Sequence, residues 1–120
     1  MNLPERFEAI VLPEGVKKVE MKKDDTKPNT TIFKVEREDH TVGQLITAKL
    51  QLEPSVIFAG YKVPHPLLHY FELRISTNGE LSPSEVFDKV LQQIMQEIKL
   101  LKENFSKELQ IKKEMNVNKA

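Results

Sequence analysis

The sequence predicts an α+β domain: a small, mostly antiparallel sheet packed with a short helix and a long C-terminal helix. Three observations carry that reading. Apolar and polar residues alternate over residues 31–37 and 70–77, the period-2 pattern of half-buried strands. Two helix starts carry capping residues, at His40-Thr41 and at Ser82-Pro83-Ser84-Glu85. After Pro83 neither glycine nor proline interrupts the chain. A chain of 120 residues holds one modest core and is too short for two ordinary domains.

The elements follow in order. Residues 1–12 mix polar positions with Phe7, Ile10, Val11 and Leu12, and a short helix is expected there before Pro13-Glu14-Gly15 breaks it. Residues 16–21 suit a short edge strand, with Lys17, Lys18 and Lys22 to discourage pairing with a further strand. Residues 23–29 carry turn chemistry. In the strand that follows, Phe33 and Val35 face one way and Lys34 and Glu36 the other. Thr41 is expected at the N-cap of the first helix, with Gln44 completing a capping box. Its buried stripe is then Val42, Leu45, Ile46 and Leu50, and Pro54 stops it. Residues 56–63 read as a second strand, more apolar than the first and so expected to be more central. In the third, Phe71, Leu73 and Ile75 oppose Tyr70, Glu72 and Arg74, and Asn78-Gly79 then turns the chain.

Ser82 as N-cap, Pro83 at the first helical position and Glu85 as the reciprocal acceptor start the last helix. Run to Lys113, it spans roughly 48 Å at 1.5 Å per residue. A domain of this size has a radius of gyration of only about 14 Å. Phe87, Leu91, Ile94, Ile98, Leu101 and Phe105 are spaced 4, 3, 4, 3, 4, an a/d seam suited to a neighbouring helix. Val86, Val90, Met95, Leu100 and Leu109 widen the stripe, so that two surfaces can be covered at once. A helix lying across its own sheet explains such a stripe as well, but one this long outruns its domain, and a dimer is expected. Residues 1–113 form the expected single domain, and the polar, uncapped residues 114–120 a flexible tail.

Composition excludes several function classes. Charge balances at 18 acidic and 18 basic residues, without the basic excess of a domain that lives by gripping phosphates. The absence of cysteine removes disulfides, thiolate metal sites and cysteine nucleophiles. No signal peptide is apparent and no apolar run approaches the ~20 residues that cross a bilayer, so a soluble intracellular domain is expected. His65 and His69 have the spacing of helical zinc ligands, but Pro64 and Pro66 forbid a regular helix there. The four glycines are scattered and form no phosphate loop, and no nucleophile sits in a triad-like setting. No catalytic, metal or cofactor site is expected.

Two runs carry a family likeness: Asp39-His40-Thr41-Val42-Gly43-Gln44-Leu45-Ile46 and Phe58-Ala59-Gly60-Tyr61-Lys62-Val63-Pro64-His65-Pro66-Leu67. Together they resemble the dimerisation domain of RNA polymerase alpha-like subunits, a family that includes archaeal subunit L. The opening Met1-Asn2-Leu3-Pro4-Glu5-Arg6-Phe7-Glu8 agrees, as does the order of elements to about residue 110. His40, Thr41 and Gly43 match the family run, whereas Val42 and Gln44 stand where leucine and asparagine are usual. Many relatives carry a basic residue after the position of Ile46; here Thr47 follows, with Lys49 two places on. Gly60, Tyr61, Pro64, His65 and Pro66 favour the polymerase II branch over the related subunit shared by polymerases I and III.

The resemblance implies a non-catalytic nuclear subunit that pairs with the third-largest RNA polymerase II subunit as a heterodimer. On that platform the large polymerase subunits assemble, with little direct nucleic-acid contact, no membrane and no cofactor. It assigns the partner interface to Leu45 and Ile46 on the first helix and to the six-residue seam on the last. The alternatives are a stand-alone homodimeric binding module and the related subunit shared by RNA polymerases I and III.

Overall fold

The computed structural model describes Leu12 and residues 14–117. The helix expected over residues 1–12 falls, Leu12 apart, outside the described residues, as do residues 118–120. The elements run β1 (Val19–Lys23), β2 (Thr30–Glu36), α1 (His40–Gln51), β3 (Val56–Lys62), β4 (Tyr70–Thr77) and α2 (Pro83–Val117). They fall into two compact units, Met1–Asp88 and Lys89–Ala120.

In the first unit the four strands form one antiparallel sheet of order β1-β2-β4-β3. β2, α1 and β3 make a crossover with β4 inserted between its two strands, a split βαβ arrangement. β4 alternates as its sequence demands: Phe71, Leu73 and Ile75 are fully buried, and Tyr70, Glu72, Arg74 and Ser76 face the other way, partly exposed. Phe33 and Val35 of β2 pair with Leu73 and Phe71 on the buried face. Ile46 and Leu50 of α1, Ala59 of β3 and Val86 and Phe87 from the start of α2 complete the core. The rings of Phe33 and Phe87 stack at 4.7 Å and 7°.

Three expectations are corrected. β3 is apolar but lies at an edge, and its apolar residues Ile57 and Phe58 are exposed, so composition alone misplaced it. α1 is capped by Asp39 and not by Thr41: the Asp39 carboxylate accepts from the Thr41 N–H at 3.0 Å, and its carbonyl accepts from the Gly43 N–H. The buried stripe of α1 is therefore Gly43, Ile46, Thr47 and Leu50, with Leu45 exposed and Val42 only partly covered. The reason is Gly43. A Cβ there would lie 2.7 Å from Cδ2 and 2.9 Å from Cε2 of the Tyr61 ring, so only a bare backbone lets α1 approach β3 on that side.

The outer face of the sheet is a lattice of opposed charges. Arg74 bonds Asp24 in the β1–β2 loop, Lys34 lies 3.1 Å from Glu36, and Lys62 lies 3.7 Å from Glu72. Asp24 also accepts from the hydroxyl and the N–H of Thr26, and these bonds, with Arg74, bring its pKa down to about 2. The Lys34 ammonium sits 4.5 Å over the Tyr70 ring, and its pKa is raised chiefly by its hydrogen bond to Glu36.

Candidate interaction surface

α2 starts as its sequence specifies. The Ser82 hydroxyl accepts from the Glu85 N–H at 3.2 Å, and the Ser82 N–H reaches the Glu85 carboxylate at 3.4 Å. With no breaker after Pro83, the helix continues for 35 residues, roughly 52 Å, and ends at Val117, beyond the expected Lys113.

The six seam residues divide. Phe87 is 7% exposed and stacked on Phe33, so it serves its own domain. Within the second unit Val90 and Ile94 are buried and Leu91 is half-buried. From Met95 to the last described residue every position is exposed. Ile98, Leu101 and Phe105 stand 56%, 70% and 67% open to solvent, and Leu109 continues their line one turn further. Four large apolar side chains thus stand exposed on one helical face.

α1 presents a second strip. Ile46 is buried in the core, so of the two residues assigned to an interface only Leu45 faces outward. Ala48 and Leu52, three and seven positions on, are exposed beside it. Sequence reasoning missed Leu52 because it lies past the expected buried stripe, although its spacing from Leu45 was available.

The motif residues have a structural role. His40 Nδ1 lies 3.1 Å from the Tyr61 hydroxyl with the rings edge to face, and Tyr61 meets Phe71 edge to face at 6.0 Å. Tyr61 also fills the space that Gly43 leaves. The two runs, remote in sequence, thus form one joint that fixes α1 on β3. Pro64, His65 and Pro66 lie in the connection to β4, where the His65 carbonyl closes a turn on the Leu68 N–H. Among the described residues no cluster of histidine and carboxylate side chains could hold a metal ion, and no helix is long and apolar enough to cross a membrane.

A split βαβ sheet with a short crossover helix, followed by an overlong helix that carries an exposed apolar line, defines a dimerisation domain as a class. Comparison with known proteins gives the family. Residues 30–104 match the RNA polymerase Rpb3/Rpb11 dimerisation domain, and the chain belongs to that family. It is 42% identical over 113 residues to the DNA-directed RNA polymerase II subunit rpb11 of Dictyostelium discoideum, covering 94% of each chain. It is 39% identical over 112 residues to the corresponding subunit of Schizosaccharomyces pombe, covering 93% of this chain and 90% of that one. Among solved structures, RNA polymerase subunit L of Thermoplasma acidophilum shares the fold, with a TM-score of 0.64 at 15% identity over 78% of this chain and 92% of that one.

Proposed function

We propose that this chain is a non-catalytic assembly subunit of DNA-directed RNA polymerase II. It pairs in the nucleus with the third-largest subunit as an alpha-like heterodimer, on which the large catalytic subunits are built. The exposed line Ile98, Leu101, Phe105 and Leu109 is the observation that carries the reading, and Leu45 on α1 with Leu52 at its C-cap is a second exposed apolar strip. These side chains are 43–78% exposed, so completing their burial is worth roughly 1–2 kcal/mol each, on the order of 6–12 kcal/mol for the six. Association costs about 4–15 kcal/mol in lost freedom. The line on α2 is therefore insufficient alone, and the partner must engage α1 and further surface as well. A formal net charge of zero fits a subunit that meets protein and not nucleic acid.

Size-exclusion chromatography with light scattering tests the proposal, on the chain alone and co-expressed with a third-subunit homologue. A 1:1 complex is expected with the partner. A well-behaved monomer or homodimer that ignores the partner would reject it.

A further inference from the structure

The seam on α2 contains a polar break. Ile98, Leu101 and Phe105 keep the alternating spacing of an a/d repeat, and the next two positions of that repeat are Glu108 and Lys112. The position after them is apolar again, at Met115. The geometry of a straight helix gives the same answer. Eighteen residues make about five full turns, so Glu108 and Lys112 take the angular positions that Val90 and Ile94, both buried, hold nearer the start of α2. At this level Leu109 and Glu108 flank the line on either side, and Lys112 stands on it. Both charged residues are exposed, and the helix runs past them unbroken to Val117. Helix formation does not call for them, because leucine is as good a helix former as glutamate or lysine.

The repeat fixes what a second copy of this chain would meet. In a parallel pair equivalent positions face each other, so Lys112 meets Lys112 and Glu108 meets Glu108, like charges drawn out of water. In an antiparallel pair an a position faces a d position. Setting Phe105 against the second copy's Leu101 brings Ile98 against Glu108. One heptad along, Phe105 meets Glu108 and Leu101 meets Lys112. A further heptad pairs Glu108 with Lys112, but the helices then overlap only over residues 103–117, and Ile98 and Leu101 fall outside the contact. In the other direction Phe105 meets Ile94, which is already buried. Every register thus opposes like charges, sets a charge against an apolar side chain, or leaves the apolar line unused.

We propose that Glu108 and Lys112 are specificity residues that keep two copies of this chain from pairing through α2, and so reserve Ile98, Leu101 and Phe105 for a different protein. A polar residue at one a position sets register and oligomer state at a cost in stability. Here two of opposite sign stand at successive seam positions. The inference goes beyond the assembly reading: it concerns the chain by itself and holds whichever protein covers the seam.

Sedimentation velocity on the full chain alone, over a hundredfold range of concentration, tests it. Glu108→Leu with Lys112→Leu makes the seam apolar from Ile98 to Met115, and this variant is expected to self-associate at least tenfold more tightly than the parent. Lys99→Leu with Glu103→Leu makes the same chemical change at the same spacing away from the seam, and should associate no more than the parent. All four positions are exposed and leucine favours the helix, so the circular dichroism of both variants should match the parent. A seam variant that associates no more than the parent would overturn the proposal. So would a control pair that associates as tightly as the seam variant, since added apolar surface alone would then be the cause. Failure of the parent to pair with a third-subunit homologue would reject the assembly reading and leave the self-association result standing.

Discussion

Replacing Gly43 by alanine sets two local effects against each other. In a helix interior alanine is favoured over glycine by about 1 kcal/mol, so propensity alone makes the variant more stable. At this position, however, the new methyl lies 2.7 Å from Tyr61 Cδ2 and 3.1 Å from Cγ. Those atoms are near the root of the ring, and the ring is held by His40 on one side and the fully buried Phe71 on another. It cannot swing clear without disturbing both. Overpacking of this kind costs ~1–3 kcal/mol, so the net change is a loss of about 1 kcal/mol. With a urea m-value near 2 kcal/mol/M, the unfolding midpoint should fall by roughly 0.5 M. The control removes the obstacle: in a Tyr61→Ala background, Gly43→Ala should raise the midpoint by a similar amount, because only the propensity gain remains. The double-mutant cycle then reports a coupling of ~1–3 kcal/mol between two residues eighteen apart in sequence. A Gly43→Ala single variant more stable than the parent, or the same change in both backgrounds, would refute the packing argument.

Three further outcomes are expected. Leu101→Asp with Phe105→Asp alters two exposed positions, so the chain should keep its thermal midpoint within a few degrees and yet lose the 1:1 peak with its partner on size-exclusion chromatography, since pairing would bury two unpaired carboxylates; retained pairing would move the interface elsewhere. Asp24 has a folded pKa below its unfolded value, so its contribution is present above about pH 4 and is lost as pH falls toward about 2. Urea midpoints at pH 5, 3 and 2 should therefore fall less steeply in Asp24→Asn than in the parent, and parallel profiles would exclude the group. Ser82→Ala removes the acceptor for the Glu85 N–H and should cost about 1 kcal/mol by urea unfolding, with Ser82→Asp recovering most of it; an unchanged alanine variant would mean that the cap contributes nothing.

The sequence by itself determined the elements whose information is local. The capping box at Ser82 and Glu85 forms as read, because both partners lie within one helical turn. The period-2 pattern of residues 70–77 assigned Phe71, Leu73 and Ile75 to the buried face of β4, because alternation in a strand leaves only two faces to choose between. The absence of breakers after Pro83 foretold a helix too long for one small domain to cover, and from Met95 onward that helix is uncovered. What the sequence left undecided depends on neighbours distant in the chain. Strand order is set by pairing, so apolar β3 lies at an edge while β2 and β4 hold the centre. The rotation of α1 is set by Tyr61 against Gly43, which turns Ile46 inward and Leu45 and Leu52 outward, a choice that four adjacent apolar candidates on one helix could not make alone. The seam on α2 was legible as a pattern, but an a/d repeat reads the same whether its own domain or a partner covers it. Only burial in three dimensions separated Phe87, stacked on Phe33, from Leu101 and Phe105, which stand exposed.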